Sequence, residues 1–131
     1  MNSENTKALI KRFKFISSKN PLYRNDLNIP MSFDCEDGWF KLIWELCEGL
    51  EKIIDKSFIV EQVKEKFGTL RFYVSYVNDD INSLIEKAEL QSSITCEICG
   101  NPGELKIKRG WYRTVCEDEK DYQQIKKGNE L

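Results

Sequence analysis

A chain of 131 residues with 40% hydrophobic and 32% charged side chains has the size and balance of one folded domain, not of a disordered segment. Its formal net charge of −2 argues against a whole-surface attraction for nucleic acid and leaves only local patches for that role. It contains no histidine, which excludes Ser-His and Cys-His nucleophile pairs, imidazole proton shuttles and imidazole metal ligands from this chain.

Residues 4–16, ENTKALIKRFKFI, place Leu9, Phe13 and Ile16 at helical spacing with lysines between them. The pattern predicts a short helix with a solvated basic face. Lys7, Lys11, Arg12 and Lys14 also interrupt any signal-peptide core. No apolar run suits a bilayer span. A cytosolic setting follows, in which thiols stay reduced and cysteines serve as metal ligands or core residues.

Residues 17–34 hold Pro21 and Pro30 among Ser, Asn and Asp, and read as a long loop. Leu22, Tyr23, Leu27, Ile29 and Phe33 are its candidate anchors. Residues 38–55, GWFKLIWELCEGLEKIID, predict the strongest helix, with Phe40, Ile43, Trp44, Cys47, Leu50 and Ile54 on one stripe. Trp39, Leu42 and Leu46 widen that stripe, so the helix is expected to be central. Asp37 is placed to cap it. Within 58–77, Leu70, Phe72, Val74 and Tyr76 alternate with Arg71, Tyr73 and Ser75. Ile59, Val63 and Phe67 precede a turn at Phe67-Gly68-Thr69, which together predict a β-hairpin. A helix is expected over residues 80–92, then two short strands around Arg109-Gly110. A terminal helix over 115–127 follows from the capping-box spacing of Thr114 and Glu117. The final Gly128 to Leu131 are expected to fray.

The cysteines carry the chemistry. Cys96-x2-Cys99-Gly100 precedes the second hairpin, and Cys116 follows it. A tight knuckle brings two thiolates to one side, and a helix N-terminus at Cys116 would favour a third. The layout is that of a treble-clef or zinc-ribbon-like lobe holding a structural Zn2+. The fourth ligand is open. Glu119 lies one helical turn beyond Cys116, and Cys35 is the alternative. Cys47, in the middle of an apolar stripe, reads as a small core residue. The expected architecture is α+β: residues 1–93 form the core, and residues 94–127 form the knuckle lobe packed with it as one compact unit.

Three stretches, DCEDGWFKLIWELCEGLE, VEQVKEKFGTLRFYV and TCEICGNPGELKIKRGWYRTVCEDE, resemble a widespread family of small phage, prophage and bacterial proteins of uncharacterised activity. The resemblance covers roughly residues 21–120. That family typically reads Cys-Gly-Asp-Gly-Trp where this chain has Cys35-Glu36-Asp37-Gly38-Trp39. Its last block usually ends Cys-x2-His, where this chain has Cys116 and Glu119. The resemblance implies a metal knuckle and a phage-like origin, and hence the host cytosol.

Three functions compete. The first is a non-catalytic module that binds a host protein and so inhibits host defence or other host machinery. The second is nucleic-acid binding by the knuckle hairpin, where Lys106, Lys108, Arg109, Trp111, Tyr112 and Arg113 mix charge with aromatic surface. The same six residues are the candidate contacts for a protein partner. The third is a zinc-dependent or carboxylate-based enzyme using Asp34, Glu36 and Asp37 or Glu61 and Glu65. No nucleophile or cofactor motif accompanies those carboxylates, so no enzymatic activity is expected.

Overall fold

The computed structural model describes residues 1–16 and 32–125. Its first helix, α1 (Ser3–Arg12), starts where the Asn2 side chain accepts the Asn5 amide at 2.8 Å. A 3-10 turn, Lys14–Ile16, follows and buries Phe15 and Ile16. Four of the foreseen loop anchors, Leu22, Tyr23, Leu27 and Ile29, lie outside the described residues. The fifth, Phe33, is buried and begins the short strand β1 (Phe33–Asp34).

The central helix is shorter than its apolar pattern. A 3-10 turn, Asp37–Trp39, leads into α2 (Phe40–Glu51). Leu42, Ile43, Leu46, Cys47 and Leu50 form its buried face, and each fully buried aliphatic side chain there contributes roughly 1.5–3 kcal/mol. Asp37 is not the expected cap of this helix. Its carboxylate instead accepts hydrogen bonds from the Asn2 amide at 2.8 Å and the Asn2 and Asn5 side chains at 3.1 and 3.2 Å. The carboxylate therefore ties the N-terminus to the entry of α2.

Strands β2 (Val60–Lys66) and β3 (Thr69–Val74) form the predicted antiparallel hairpin, with β1 parallel to β2 on the other side. The hairpin turns through Phe67 and Gly68, both at positive φ, 53° and 85°. Two positive φ values give the turn a twist that matches the strands. α3 (Asp79–Ser92), capped by the Asn78 side chain on the Ile81 amide at 2.9 Å, packs on α2 and β3. Its Ile81, Ile85 and Ala88 join Leu9, Phe13, Trp39, Val60, Val63, Leu70 and Phe72 in the main core.

The last third forms a second sheet. β4 (Glu104–Lys108) pairs antiparallel with β5 (Trp111–Val115) through a turn at Arg109 and Gly110, again with both φ positive. The expected terminal helix is absent among the described residues. The chain makes turns after Cys116 and then adds β6 (Gln123–Gln124) to the free side of β4. Thr114 is consequently not a helix cap. It lies in β5, opposite Leu105, and its hydroxyl donates to the Gly68 carbonyl at 2.8 Å. Among the described residues, the order β5-β4-β6 puts a strand where a treble clef has its helix. Residues 126–127 of the expected helix and the tail 128–131 lie outside the described residues. No helix among the described residues is long and apolar enough to cross a membrane.

Candidate metal centre

The knuckle begins at the end of α3. Gly100 takes a φ of 84°, and its amide donates to the Cys96 carbonyl at 2.9 Å. This closes the tight turn that brings Cys96 and Cys99 together. Cys116 arrives from the end of β5, beside Val115 in the small core of the lobe. The three sulfurs lie within 4.8 Å of one another, with Cys99 and Cys116 at 3.5 Å. Zn–S bonds of about 2.3 Å in a tetrahedron put sulfurs about 3.8 Å apart, so the three thiols fit one face of such a site.

The sulfurs are not equivalent. Cys96 and Cys116 are buried, while Cys99 is exposed. Burial works against ionising Cys96, but the amides of Cys99, Cys116 and Ile98 donate to its sulfur and hold its thiol below the ordinary range. The Asn101 amide favours a Cys99 thiolate, yet desolvation and the hydrogen bonds with Cys116 and Cys96 prevail and push that thiol up to about 11. A divalent cation at the centre of the triangle would ionise all three, since a coordinated thiol is deprotonated outright.

Neither proposed fourth ligand joins the group of described residues that gathers there. Glu119 follows in the turn, its amide donating to the Cys116 carbonyl at 3.2 Å. Cys35 belongs to the main core, where burial, and next the charge of Glu97, push its thiol up to about 12. Cys47 is fully buried on α2, as its place in the stripe predicts.

One contributor escaped the sequence reading. Glu97, inside the Cys-x2-Cys knuckle, is 1% exposed. Its Oε2 accepts the Glu36 amide at 3.0 Å, its backbone carbonyl accepts the Gly38 amide at 2.7 Å, and its Oε1 sits 3.3 Å from Arg113 Nε. Gly38 has to be glycine, because any Cβ there would overlap the Cys96 carbonyl and the Glu97 backbone. Trp39 Nε1 adds a bond to the Thr95 carbonyl at 2.9 Å. The Cys35-Glu36-Asp37-Gly38-Trp39 stretch is thus the dock on which the knuckle is seated.

The six hairpin residues divide by environment. Arg113 faces Glu97, Lys106 is buried with its ammonium 3.4 Å from the Cys116 carbonyl, and Lys108 lies 3.7 Å from Asp121 and over the Tyr122 ring. Arg109 stands in the turn. Trp111 is 78% exposed and Tyr112 36%. Phe67 and Leu105, which the sequence reading did not single out as a site, line a cleft of about 620 Å³ with Tyr112, Ile125, Glu104 and Gln124. A large apolar residue at the first position of a tight hairpin turn was the available signal for Phe67. Comparison with family models, with curated proteins and with solved structures finds no match for this chain.

Proposed function

We propose that this protein is a non-catalytic binding module whose second sheet, clasped by a structural Zn2+ on Cys96, Cys99 and Cys116, engages a partner protein. The observation that carries the reading is the exposed apolar surface at the meeting of the two hairpins. Phe67 is 67% exposed, Leu105 38% and Tyr112 36%, around a shared cleft. Large exposed aromatics set in a polar rim are the usual anchors of protein interfaces. The resemblance to phage proteins makes a host protein the expected partner, and inhibition of host defence or other host machinery the expected consequence.

Nucleic acid is the second reading, and the hairpin geometry weighs against it. Lys106 is buried and Arg113 faces the buried Glu97, which withdraws two of its four basic side chains from phosphates. Two of the five carboxylates considered for catalysis are engaged as well: Asp37 holds the N-terminus, and Glu65 accepts the Gly68 amide at 2.7 Å.

The test is a binding assay against host proteins retained by the wild-type chain and then purified. Phe67→Ser with Leu105→Ser should abolish that binding while circular dichroism is unchanged. Arg109→Glu should leave most of it. Binding that survives the double apolar change rejects this surface. Oligonucleotide binding that falls steeply with salt and vanishes in Arg109→Glu/Arg113→Glu would move the assignment to nucleic acid.

A further inference from the structure

We propose that the metal on Cys96, Cys99 and Cys116 keeps its fourth position for a neutral imidazole supplied by another protein. The inference rests on the metal reading above and adds the class of ligand that completes the site.

Three observations carry it. The thiols occupy one face of a tetrahedron, and no other cysteine or carboxylate of the described residues joins them. The cluster is open on one side, because Cys99 is exposed while Cys96 and Cys116 are buried. A metal with three protein ligands and a solvent-facing position binds water or an incoming donor there.

Charge selects the donor. Three thiolates around Zn2+ carry a net charge of about −1. Residues 117–121 follow Cys116 directly and carry four carboxylates against one ammonium, Lys120; Glu117, Asp118, Lys120 and Asp121 are exposed. The Lys106 ammonium is buried against the Cys116 carbonyl, and a net negative charge remains around the cluster. A carboxylate or thiolate entering from solvent meets this negative field, whereas a neutral imidazole does not. Imidazole is also a favoured zinc ligand. The chain has no histidine, so the donor comes from a second molecule, and the histidine side chain of a bound protein is the natural source.

The full-length protein loaded with Co2+ tests this, with imidazole as the probe. Thiolate-to-cobalt charge transfer in the near ultraviolet reports the three sulfurs, and the visible ligand-field bands report the fourth donor. Imidazole should shift the visible bands saturably and leave the charge-transfer intensity unchanged. Acetate should bind at least about tenfold more weakly at low salt. Glu119→Gln should respond to imidazole as the wild type does.

A wild-type spectrum with full thiolate charge transfer that imidazole does not move overturns the inference and leaves the metal reading standing. A response seen only in Glu119→Gln also overturns it, by showing that Glu119 closes the site from within. Equal binding of acetate overturns the donor class. Absence of any thiolate charge transfer rejects the metal site and this inference together.

Discussion

Glu97 has the least expected environment of any described residue. A carboxylate inside a Cys-x2-Cys turn would ordinarily face water, and nothing in CEIC signals otherwise. Here burial raises its carboxyl above the usual range, with the Arg113 charge opposing that shift. Its hydrogen bond to Glu36 crosses from the knuckle to the main core. Glu97→Ala should destabilise the fold by about 2–3 kcal/mol, because it strands the Glu36 amide and the Arg113 guanidinium together. Glu97→Gln, which keeps an acceptor for the amide, should cost clearly less. Equal losses in urea unfolding would show that the ion pair, not the amide bond, governs this position. Phe67 offers a second test at this scale. A phenylalanine at a φ of 53° with two-thirds of its surface exposed opposes both backbone preference and burial. Phe67→Asn should raise stability by about 0.5–1 kcal/mol, since asparagine suits this turn position. The same change should weaken partner binding at least about tenfold, as loss of an aromatic anchor does. A gain of stability with unchanged binding would remove Phe67 from the interface.

At the scale of elements, periodicity was informative wherever an apolar face had something to cover. α2, α3 and both hairpins follow from their patterns, with boundaries displaced by a few residues. The terminal helix failed for a definable reason. Thr114 and Glu117 have capping-box spacing, but residues 117–121 are all charged and offer no apolar stripe to bury. Short helices draw their stability from such burial. The Thr114 hydroxyl and carbonyl are claimed by Gly68 and by the Glu97 amide, which holds the segment in the sheet. Asp37 was misread in the same way, as a local cap where it makes a contact distant in sequence. That contact has an acid signature. The Asn2 amide, with help from Asn5 and the N-terminal ammonium, holds the Asp37 carboxyl below its ordinary value of 3.8. A depressed carboxylate stabilises the folded state above the unfolded value, and that stability is lost as pH falls through the folded one. The protection of the α1 amides from hydrogen exchange, taken relative to their intrinsic rate, should therefore fall below about pH 4. Asp37→Asn should raise exchange at neutral pH and flatten this dependence, leaving the part due to Glu51, whose carboxyl Arg12 also holds low. An unchanged profile in that variant would mean α1 is retained by its buried Leu9 and by Phe13 alone.

For the whole molecule, the question is how far the metal's influence extends. The knuckle lobe has little core of its own: Cys96, Val115 and Cys116, with Ile98 and Tyr122 packed against them. Taken alone, such a lobe should melt when its clasp opens, while the main core with its larger apolar cluster remains. The sequence supports that division into 1–93 and 94–127. It does not display the hydrogen bonds that cross the boundary: the Gly38 amide to the Glu97 carbonyl, the Glu36 amide to the Glu97 carboxylate, the Trp39 indole to the Thr95 carbonyl and the Thr114 hydroxyl to the Gly68 carbonyl. Through them, the geometry of Cys96 and Cys99 also fixes the entry to α2. A metal present at a thousandfold excess over its dissociation constant stabilises the fold that binds it by about 4 kcal/mol. Chelation should therefore lower the melting temperature and increase hydrogen exchange at 95–116. The increase should continue into 35–39, while β2, β3 and the C-terminal half of α2 stay protected. Cys96→Ser should reproduce the same map without chelator, and the Trp39 indole, freed from Thr95, should change its fluorescence. If exchange rises only at 95–116, the dock at Gly38 holds without the metal, and the knuckle is a local clasp. If neither chelator nor Cys96→Ser alters exchange anywhere, these hydrogen bonds alone seat the lobe, and the three thiols have no structural metal to hold.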